Sequence, residues 1–272
     1  MIELKSKWST HTSTGMVSKG IYNIDGKEYF VKGNSEEGYL EPYSEVIASR
    51  AAKLLNVDSI QYDILPKEYF KEIKVYGLCK HVSICKKINS NLYQFFNTFK
   101  LRGYKNINTE PLKVYKEVEL SQEHLWKMLI LDAFVGNQDR HLNNFDIMYK
   151  DNKLVNAPIL DTGASCLFNK KESELKIYDG EKIGPDLAKP FKETHFKQIK
   201  YLERELDCEK YIFVDTNKEE FFENLWKECE TVFSELSNKR VEAIKSYLWQ
   251  RYDVYIEPYK KKQNKESKLE WN

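Results

Sequence analysis

Apolar and polar residues alternate in the first part of the chain, and this pattern predicts strands. In "KGIYNIDGKEYFVKG", residues 19–33, apolar residues lie on both sides of Asp25-Gly26. An Asp-Gly pair between two apolar segments is a strong signal for a two-residue hairpin turn. We therefore predict a β-hairpin with its turn at these two residues. Further strands are predicted within 59–66 and 74–88, which are rich in β-branched and aromatic residues.

Helical spacing of apolar residues replaces this alternation in other parts of the chain. The segment 41–57 has that spacing and carries Pro42 where a first helical turn would lie. In "SQEHLWKMLILDAFVG", Ser121 is a suitable N-cap and Gly136 is a suitable terminator. Amphipathic helices are also predicted over 218–250, while "FDIMYK" and "KLVNAPIL", residues 145–150 and 153–160, read as two short strands.

The order of these elements predicts an α+β protein with two lobes. We expect a strand-rich N-terminal lobe over 1–88, a larger helical lobe over 89–259, and a disordered charged tail over 260–272. Ligands are often bound in the crevice between such lobes. A functional site is therefore expected where the two lobes meet.

Composition restricts the class of protein but does not identify it. The chain has 272 residues, of which 41% are hydrophobic and 31% are charged, as in a soluble globular protein. The 43 Lys and Arg residues nearly balance the 42 Asp and Glu residues, so nothing in the charge indicates nucleic-acid binding. We find no apolar run long enough for a membrane span and no secretory signal pattern. The five cysteines lack CxxC spacing, so we expect reduced thiols in a cytoplasmic protein.

Candidate chemistry is concentrated in "GNQDRHLNNFDIM", residues 136–148, and "ILDTG", residues 159–163. Both polar segments lie between apolar runs, which would hold them at the edge of a core. Transfer of a phosphoryl group from a magnesium–nucleotide requires one metal-free carboxylate, which orients the acceptor hydroxyl, and oxygen ligands for the metal. Asp139 would be that base, and Asn144 and Asp161 would bind Mg²⁺. The alternative is that Asp139 and Asn144 only cap turns.

The spacing Asp-x-x-x-x-Asn followed by Asp-x-Gly is that of kinase catalytic loops. "GNQDRHLNNF" together with "PILDTGAS" resembles the HipA-like kinases, bacterial toxin-type serine/threonine kinases, including their compact CtkA-type members. The resemblance implies a bilobal protein-kinase-like fold, and ATP and Mg²⁺ as cofactors. It also implies phosphorylation of a protein serine or threonine, autophosphorylation, and a role as a toxin or effector.

The same resemblance implies a lysine on a strand that binds phosphates and pairs with a helix glutamate. Lys32 ends the apolar strand of the predicted hairpin, and Glu45 lies in the following helix. Glu36 and Glu41 are weaker candidates for the partner. A solvated surface pair is the alternative interpretation of Lys32 and Glu45.

A phosphate-covering loop is expected before this strand, within residues 9–20. The loop departs from Gly-x-Gly-x-x-Gly, but backbone N–H groups near Ser13, Thr14 and Gly15 could still bind phosphate. An ordinary turn rich in serine and threonine is the alternative. HipA-like kinases carry a phosphorylatable serine in this loop, and the sequence does not choose among the hydroxyls present here.

Two further predictions follow from the resemblance. His141 stands two residues after Asp139, where many protein kinases have a lysine; it would either contact the γ-phosphate when protonated or pack in the core and orient the loop. Adenine would meet backbone groups between the lobes, near Ile84 and Lys86. The "DTG" sequence has no phenylalanine counterpart to Asp-Phe-Gly, so the familiar phenylalanine switch is not expected.

Two other functions compete with that of a protein kinase. "DRHLNN" is also similar to the Asp-Arg-His-x-x-Asn of phosphoinositide lipid kinases, although no basic amphipathic element for membrane docking stands out. A pseudokinase that binds nucleotide or a partner protein is the other alternative, which the sparse glycines of the first loop leave open. The HipA resemblance also implies an antitoxin or regulatory partner, for which the neutral composition gives no direct support.

Overall fold

The architecture was determined from a computed structural model of the chain. The structure describes residues 2–8, 17–88, 92–94, 111–179, 186–207 and 217–260. The strands are β1 (Ile2–Trp8), β2 (Lys19–Ile24), β3 (Lys27–Lys32), β4 (Asp63–Pro66), β5 (His81–Lys86), β6 (Leu92–Gln94), β7 (Asp146–Lys150) and β8 (Lys153–Asn156). The described α-helices are α1 (Glu41–Leu54), α2 (Pro111–Glu117), α3 (Gln122–Val135), α4 (His195–Glu205), α5 (Lys218–Glu228), α6 (Glu230–Phe233) and α7 (Asn238–Tyr255).

The N-terminal part of the chain forms a five-stranded antiparallel sheet in the order β1-β2-β3-β5-β4. Strands β2 and β3 form the predicted hairpin, with Ile24 opposite Lys27. Asp25 and Gly26 have φ angles of 49° and 80°. Positive φ at both turn residues gives the twist that two-residue hairpins favour, which explains the Asp-Gly pair.

The two faces of this sheet have different roles because side chains alternate along each strand. One face carries a small apolar core that includes Val31, Val82 and Ile84 and is covered by Phe70 and Ile73. The residues between them, such as Lys32 and Ser83, lie on the opposite face. That opposite face looks toward α1 and the rest of the molecule.

Helix α1 connects the sheet to the helical part of the chain. Pro42 lies in its first turn, as predicted, where its missing N–H leaves no bond unmade. Val46, Ile47 and Ala51 are buried in the large core, together with residues of the C-terminal helices. The helix therefore has a fixed position relative to both halves of the molecule.

Helix α3 is the buried axis of the C-terminal part, and its predicted ends are confirmed. The Ser121 hydroxyl accepts a hydrogen bond from the backbone N–H of His124 at 3.1 Å. Gly136 ends the helix with φ of 71°, and a Cβ there would lie 2.1 Å from the Tyr247 hydroxyl oxygen. Glycine is required at this position both by the left-handed backbone and by the approach of α7.

The C-terminal helices pack aromatic side chains around the end of α3. The rings of Phe134, Phe221, Phe222 and Tyr252 lie within 6.5 Å of one another, measured between centroids, mostly in tilted or edge-to-face arrangements. Such pairs add to the apolar burial that each ring already provides. This packing confirms the amphipathic helices predicted over 218–250 and fixes the end of α3 from which the polar segment emerges.

A second sheet places the residues that follow this polar segment. Strands β6, β7 and β8 are antiparallel, and the turn between β7 and β8 has positive φ at Asp151 and Asn152. Beyond β8, Ile159 accepts a hydrogen bond from Ile60 N–H at 2.8 Å and donates one to the carbonyl of Asp58 at 2.9 Å. These bonds tie the chain just before Asp161 to the N-terminal half.

The observed architecture confirms the α+β class, with a small antiparallel N-terminal sheet and a largely helical remainder. The bounds 1–88 and 89–259 stay a prediction. The predicted tail lies outside the described residues, apart from Lys260. Within the described ranges no helix combines the length and apolar character that crossing a membrane requires.

Candidate active site

A cavity of about 560 Å³ lies between the N-terminal sheet, helix α1 and the polar segments that follow α3 and β8. Its volume is in the range of small-molecule sites. Many of its walls are polar. Six of the residues that the sequence singled out line it: Lys32, Glu45, Asp139, His141, Asn144 and Asp161.

Lys32 is the centre of a buried ion cluster on one wall of this cavity. Its ammonium group contacts Glu45 Oε1 and donates a hydrogen bond to Asp161 Oδ1 at 2.6 Å. Burial alone would lower the pKa of Lys32, but the carboxylates of Asp161 and Glu45 outweigh it and raise that pKa above its ordinary value. Burial opposes ionisation of Asp161, yet Lys32 and Lys19 hold the pKa of Asp161 below its usual range. Lys32 and Asp161 are therefore both charged at neutral pH.

The backbone after Asp161 fixes Glu45 in this cluster. Glu45 Oε2 accepts hydrogen bonds from the backbone N–H of Thr162 at 3.2 Å and from its hydroxyl at 3.3 Å. A Cβ on Gly163 would lie 3.0 Å from Glu41 Cβ, so glycine lets this segment approach α1 closely. Of the three candidate glutamates, Glu45 pairs with Lys32; Glu41 Oε1 instead accepts hydrogen bonds from Ser35.

Arg140 organises the polar segment after α3 from a buried position. Only 1% of Arg140 is exposed, and its guanidinium donates to both carboxylate oxygens of Asp132 at 2.8 and 3.0 Å. The same group donates to the carbonyl of Leu160 at 2.7 Å and to that of Asn144 at 3.2 Å. Arg140 therefore holds the loop, and it also fixes the residue before Asp161.

Local hydrogen bonds orient the candidate base and metal ligand. Asn137 donates its side-chain amide to Asp132 at 2.7 Å and accepts from the backbone N–H of Asp139 at 3.2 Å. The side-chain amide of Asn144 donates to the Asp139 carbonyl at 3.0 Å. Because the amide nitrogen is used in this bond, the amide oxygen is the group of Asn144 that remains for a metal ion.

His141 lies beside the base but does not contact it closely. The distance from His141 Nε2 to Asp139 Oδ2 is 3.9 Å, which is too long for a hydrogen bond. Burial lowers the pKa of His141 below its ordinary value, and this favours the uncharged imidazole at neutral pH. The geometry is more compatible with a packed residue that orients the loop than with a protonated phosphate contact. Its role stays a prediction.

The donor set of the cavity fits magnesium. Mg²⁺ is commonly bound by one or two carboxylates, with water and substrate phosphates completing its octahedron. Asn144 and Asp161 offer an amide oxygen and a carboxylate on the wall of the same cavity. Among the described residues no group of three or more His, Cys, Asp or Glu side chains could hold a metal ion. The described residues therefore do not supply a complete set of metal ligands. A site completed by phosphate is compatible with this arrangement.

The side chains of Ile84 and Lys86 do not line the cavity, and the predicted backbone contacts to adenine near them stay a prediction. Ile84 is buried in the small core on the far face of the sheet, and exposed Lys86 does not line the cavity either. Ser83 lines it instead, because alternation along β5 directs Ser83 to the same face as Lys32. The Ser83 hydroxyl is buried and has no hydrogen-bond partner among the described residues, so it is available to a ligand. The predicted phosphate-loop residues Ser13, Thr14 and Gly15 lie outside the described residues.

Two lysines of the cavity were not singled out from the sequence. Lys19 lies directly opposite Lys32 across the β2–β3 hairpin. Burial and the neighbouring Lys32 lower the pKa of Lys19. The hairpin register could have found it, because a two-residue turn at 25–26 pairs position 19 with position 32. Lys189 reaches the cavity from a distant segment, and no local pattern in the sequence indicates this.

No family model matches the chain, and no curated protein sequence matches it. Among solved structures, the Helicobacter pylori proinflammatory kinase CtkA is similar over 92% of this chain and 91% of its own, with a TM-score of 0.58 and 16% sequence identity. The chain has a kinase-like fold. At this identity the likeness shows the fold and not the activity.

Two further solved structures show weaker similarity to this kinase-like chain. HipA from Shewanella oneidensis MR-1, in a complex with HipB and operator DNA, covers 93% of this chain and 66% of its own, with a TM-score of 0.47 and 14% identity. A PAN3 pseudokinase mutant from Neurospora crassa covers 93% of this chain and 62% of its own, with a TM-score of 0.35 and 11% identity. These TM-scores carry no argument about function.

Proposed function

We propose that this protein is an ATP- and Mg²⁺-dependent protein kinase that phosphorylates serine or threonine hydroxyls, including its own. The observation that carries the proposal is the convergence of the Lys32–Glu45–Asp161 cluster with Asp139 and Asn144 on one cavity. These residues come from a strand, a helix and two loops. Turn capping alone would not bring them to one wall.

Each of these side chains has a role that its surroundings support. Lys32 is held charged and in place by Glu45, so it can bind the phosphates of ATP without a change of position. Asp139 is about half exposed, at 48% of its side chain, and it faces the cavity. An acceptor hydroxyl can therefore reach its carboxylate.

The reaction is a phosphoryl transfer. The acceptor oxygen forms a bond to the γ-phosphorus, the bond from that phosphorus to the bridging oxygen breaks, and ADP leaves with the electron pair. The hydroxyl proton passes to Asp139, which is the base. Mg²⁺, when bound through Asn144 and Asp161, would neutralise phosphate charge. Because catalysis of this kind depends mainly on positioning and charge, the rigid support of these side chains is what the protein contributes.

The acceptor and partners are the parts of the proposal that depend most on the sequence resemblance. A serine or threonine acceptor, autophosphorylation, and an antitoxin or other regulatory protein as partner all come from the likeness of "GNQDRHLNNF" and "PILDTGAS" to HipA-like kinases. A lipid acceptor is the competing possibility, since "DRHLNN" is shared with lipid kinases. A cytoplasmic location is likewise proposed from the sequence alone.

The proposal is tested by incubating the protein with γ-labelled ATP and Mg²⁺ and locating phosphate on it by mass spectrometry. Parallel reactions contain a mixture of generic protein substrates or phosphoinositide vesicles as acceptors. We expect label on serine or threonine. Label found only in lipid would establish the lipid-kinase alternative, and nucleotide binding without any transfer would establish the pseudokinase.

The D139N variant tests the base. It should fold normally, because the Asp139 side chain is half exposed, and it should lose about 10²- to 10⁴-fold in the rate of transfer. D151N is the matched control: this aspartate lies in the exposed β7–β8 turn, where asparagine also accepts positive φ. Equal turnover by D139N and wild type would contradict the assignment of Asp139.

A further inference from the structure

Lys189 makes a contact that the proposed roles above do not explain. Its ammonium group donates a hydrogen bond to Asp139 Oδ1 at 2.7 Å. Lys189 reaches the site from a segment fifty positions further along the chain, and neighbouring Leu187 and Ala188 also line the cavity. A cation is therefore held at the carboxylate that would receive the acceptor proton.

The loop that carries Lys189 is closed by its own backbone. Leu187 and Thr194 form an antiparallel bridge, and Ala188 N–H donates to the carbonyl of Glu193 at 3.0 Å. At the base of the loop, Asp186 forms an ion pair with Arg251, whose side chain is completely buried. The position of Lys189 is thus set by a structured loop and not by an extended surface chain.

The same loop also packs against the polar segment of the site. The ring of Phe191 packs edge-to-face on Phe145, with 6.3 Å between centroids, and Phe145 directly follows Asn144. The backbone N–H of Phe191 donates to Gln198 Oε1 at 3.1 Å in the buried part of α4. The packing of Phe191 on Phe145 therefore links the position of the loop to that of the candidate metal ligand.

Stability does not explain the pair between Lys189 and Asp139. Their side chains are 54% and 48% exposed. Exposed ion pairs contribute little to folding because water already solvates both charges. The ammonium group can leave the carboxylate readily and bind another anion that enters the cavity.

We propose that Lys189 is a catalytic residue that binds the transferred phosphoryl group during the reaction. This inference rests on the proposed kinase function. The acceptor oxygen must approach Asp139 within hydrogen-bonding distance and the γ-phosphorus at the same time, so a cation in contact with that carboxylate lies next to the phosphoryl oxygens. A lysine is a compact point charge suited to phosphate. His141, at 3.9 Å from Asp139, is not positioned to make the same contact with the base.

In this assignment Lys189 acts on charge and takes no part in proton transfer. While the bond to the acceptor oxygen forms and the bond to the bridging oxygen of ADP breaks, negative charge is spread over the three other phosphoryl oxygens. Lys189 stabilises that charge and retains its own protons. The acceptor proton passes to Asp139 as before.

The test compares K189M, K189R and the control K192M in full-length protein. Lys192 is exposed in the same loop, where its ammonium lies over the ring of Tyr201, and it does not line the cavity. Single-turnover transfer from γ-labelled ATP gives the rate of the chemical step, and titration calorimetry gives the Kd for ADP. We expect K189M to lose about 10²-fold in rate, as is typical for one stabilising group. K189R should retain more activity than K189M, the Kd of ADP should be unchanged, and K192M should behave as wild type.

Several outcomes would overturn the assignment. A transfer rate for K189M within threefold of wild type would leave only a surface ion pair, and a faster rate would make Lys189 a blocking group. A weaker Kd for ADP with an unchanged rate would place Lys189 at the inner phosphates. Absence of transfer by the wild type would refute the proposed function itself, which is a distinct result from equal rates in wild type and K189M.

Discussion

Replacement of Arg140 by methionine tests the physical basis of the site most directly. The guanidinium is 1% exposed and makes four hydrogen bonds, two to the carboxylate of Asp132 and one each to the carbonyls of Asn144 and Leu160. Methionine fills similar space without charge. The R140M variant therefore removes every one of these bonds while leaving the core volume nearly unchanged.

The expected loss of stability follows from what R140M leaves behind. Asp132 is completely buried, and without Arg140 the amide of Asn137 is the side-chain hydrogen-bond partner that remains to it among the described residues. Breaking a buried ion pair on one side costs about 3–5 kcal/mol, and the remaining amide donor places R140M near the lower end. Against a total unfolding free energy of about 5–15 kcal/mol, this is a large fraction.

Urea denaturation at 25 °C, followed by tryptophan fluorescence, measures this loss. Urea is preferred to guanidinium chloride because it is uncharged and leaves the ionic strength, and so the interactions among surface charges, the same for every variant. The double variant D132N/R140M is the informative comparison, since it removes the unpaired charge as well. We expect the double variant to be more stable than R140M by about 1 kcal/mol or more. With the D132N single variant, the cycle then gives the coupling energy, which lies at about 0.5–3 kcal/mol for residues in contact.

The same variants separate stability from positioning. R140K keeps a charge but cannot reach acceptors in three directions with a planar fork, so transfer activity should fall even where the protein is folded. The pair is not a buried coupled unit if two results are found together: a free energy of unfolding of R140M within about 1 kcal/mol of the wild-type value, and simple addition of the effects of R140M and D132N. The account of how Asp139 and Asn144 are held would then be wrong.

Three further outcomes are expected. K19M should be as stable as wild type or slightly more stable, because it removes a half-buried positive charge opposite Lys32. It should nevertheless bind ATP more weakly. Calorimetry and urea denaturation together check this, and loss of both properties would contradict it. G136A should destabilise the fold by at least about 1 kcal/mol, with partial rescue by Y247F, since the new Cβ meets the Tyr247 hydroxyl; thermal unfolding of the single and double variants checks this. Burial lowers the pKa of His195 to about 4, whereas in the unfolded chain it has its ordinary value of about 6.5. Between these two pH values the unfolded state binds a proton that the folded state does not. The free energy of unfolding should therefore fall by up to about 3 kcal/mol as the pH drops from about 6.5 toward 4. H195F should show a shallower decline over this window, and equal slopes for the two proteins would refute the assignment.

Local sequence signals correctly predicted the features that depend on the conformation of a few neighbouring residues. The Asp25-Gly26 turn, the Ser121 cap and the Gly136 terminator each depend on backbone conformation within a few residues, and the structure has all of them. The order of strands and helices likewise predicted the α+β class. Spacing alone brought Asp139 and Asn144 into one loop, because five residues cannot separate them far.

The sequence interpretation missed cavity-lining residues whose positions depend on the face and the register of the strands. A strand directs successive side chains to opposite faces, so Lys32 on the cavity face requires Ser83, opposite it on β5, to lie there too and sends Ile84 to the far side. Lys19 follows from the hairpin register in the same way. The predicted adenine contacts near Ile84 and Lys86 concern backbone groups, to which side-chain alternation does not apply, and they stay a prediction. Lys189 is different, because its contact with Asp139 depends on the tertiary path of a loop, which no periodicity records.

Three consecutive residues, 160 to 162, explain how distant parts of the chain come to share one site. The carbonyl of Leu160 is held by Arg140, the carboxylate of Asp161 by Lys32, and the backbone N–H of Thr162 by Glu45. Three partners from a loop, a strand and a helix therefore each fix a different atom of one short segment. Asp161 also has φ of 60°, in the left-handed region that aspartate adopts more readily than most residues other than glycine. Because such buried charged groups stabilise a fold only when every partner is in place, the segment is ordered by the assembly of both halves of the molecule. The carboxylate of Asp161 therefore takes its position only in the fully folded protein.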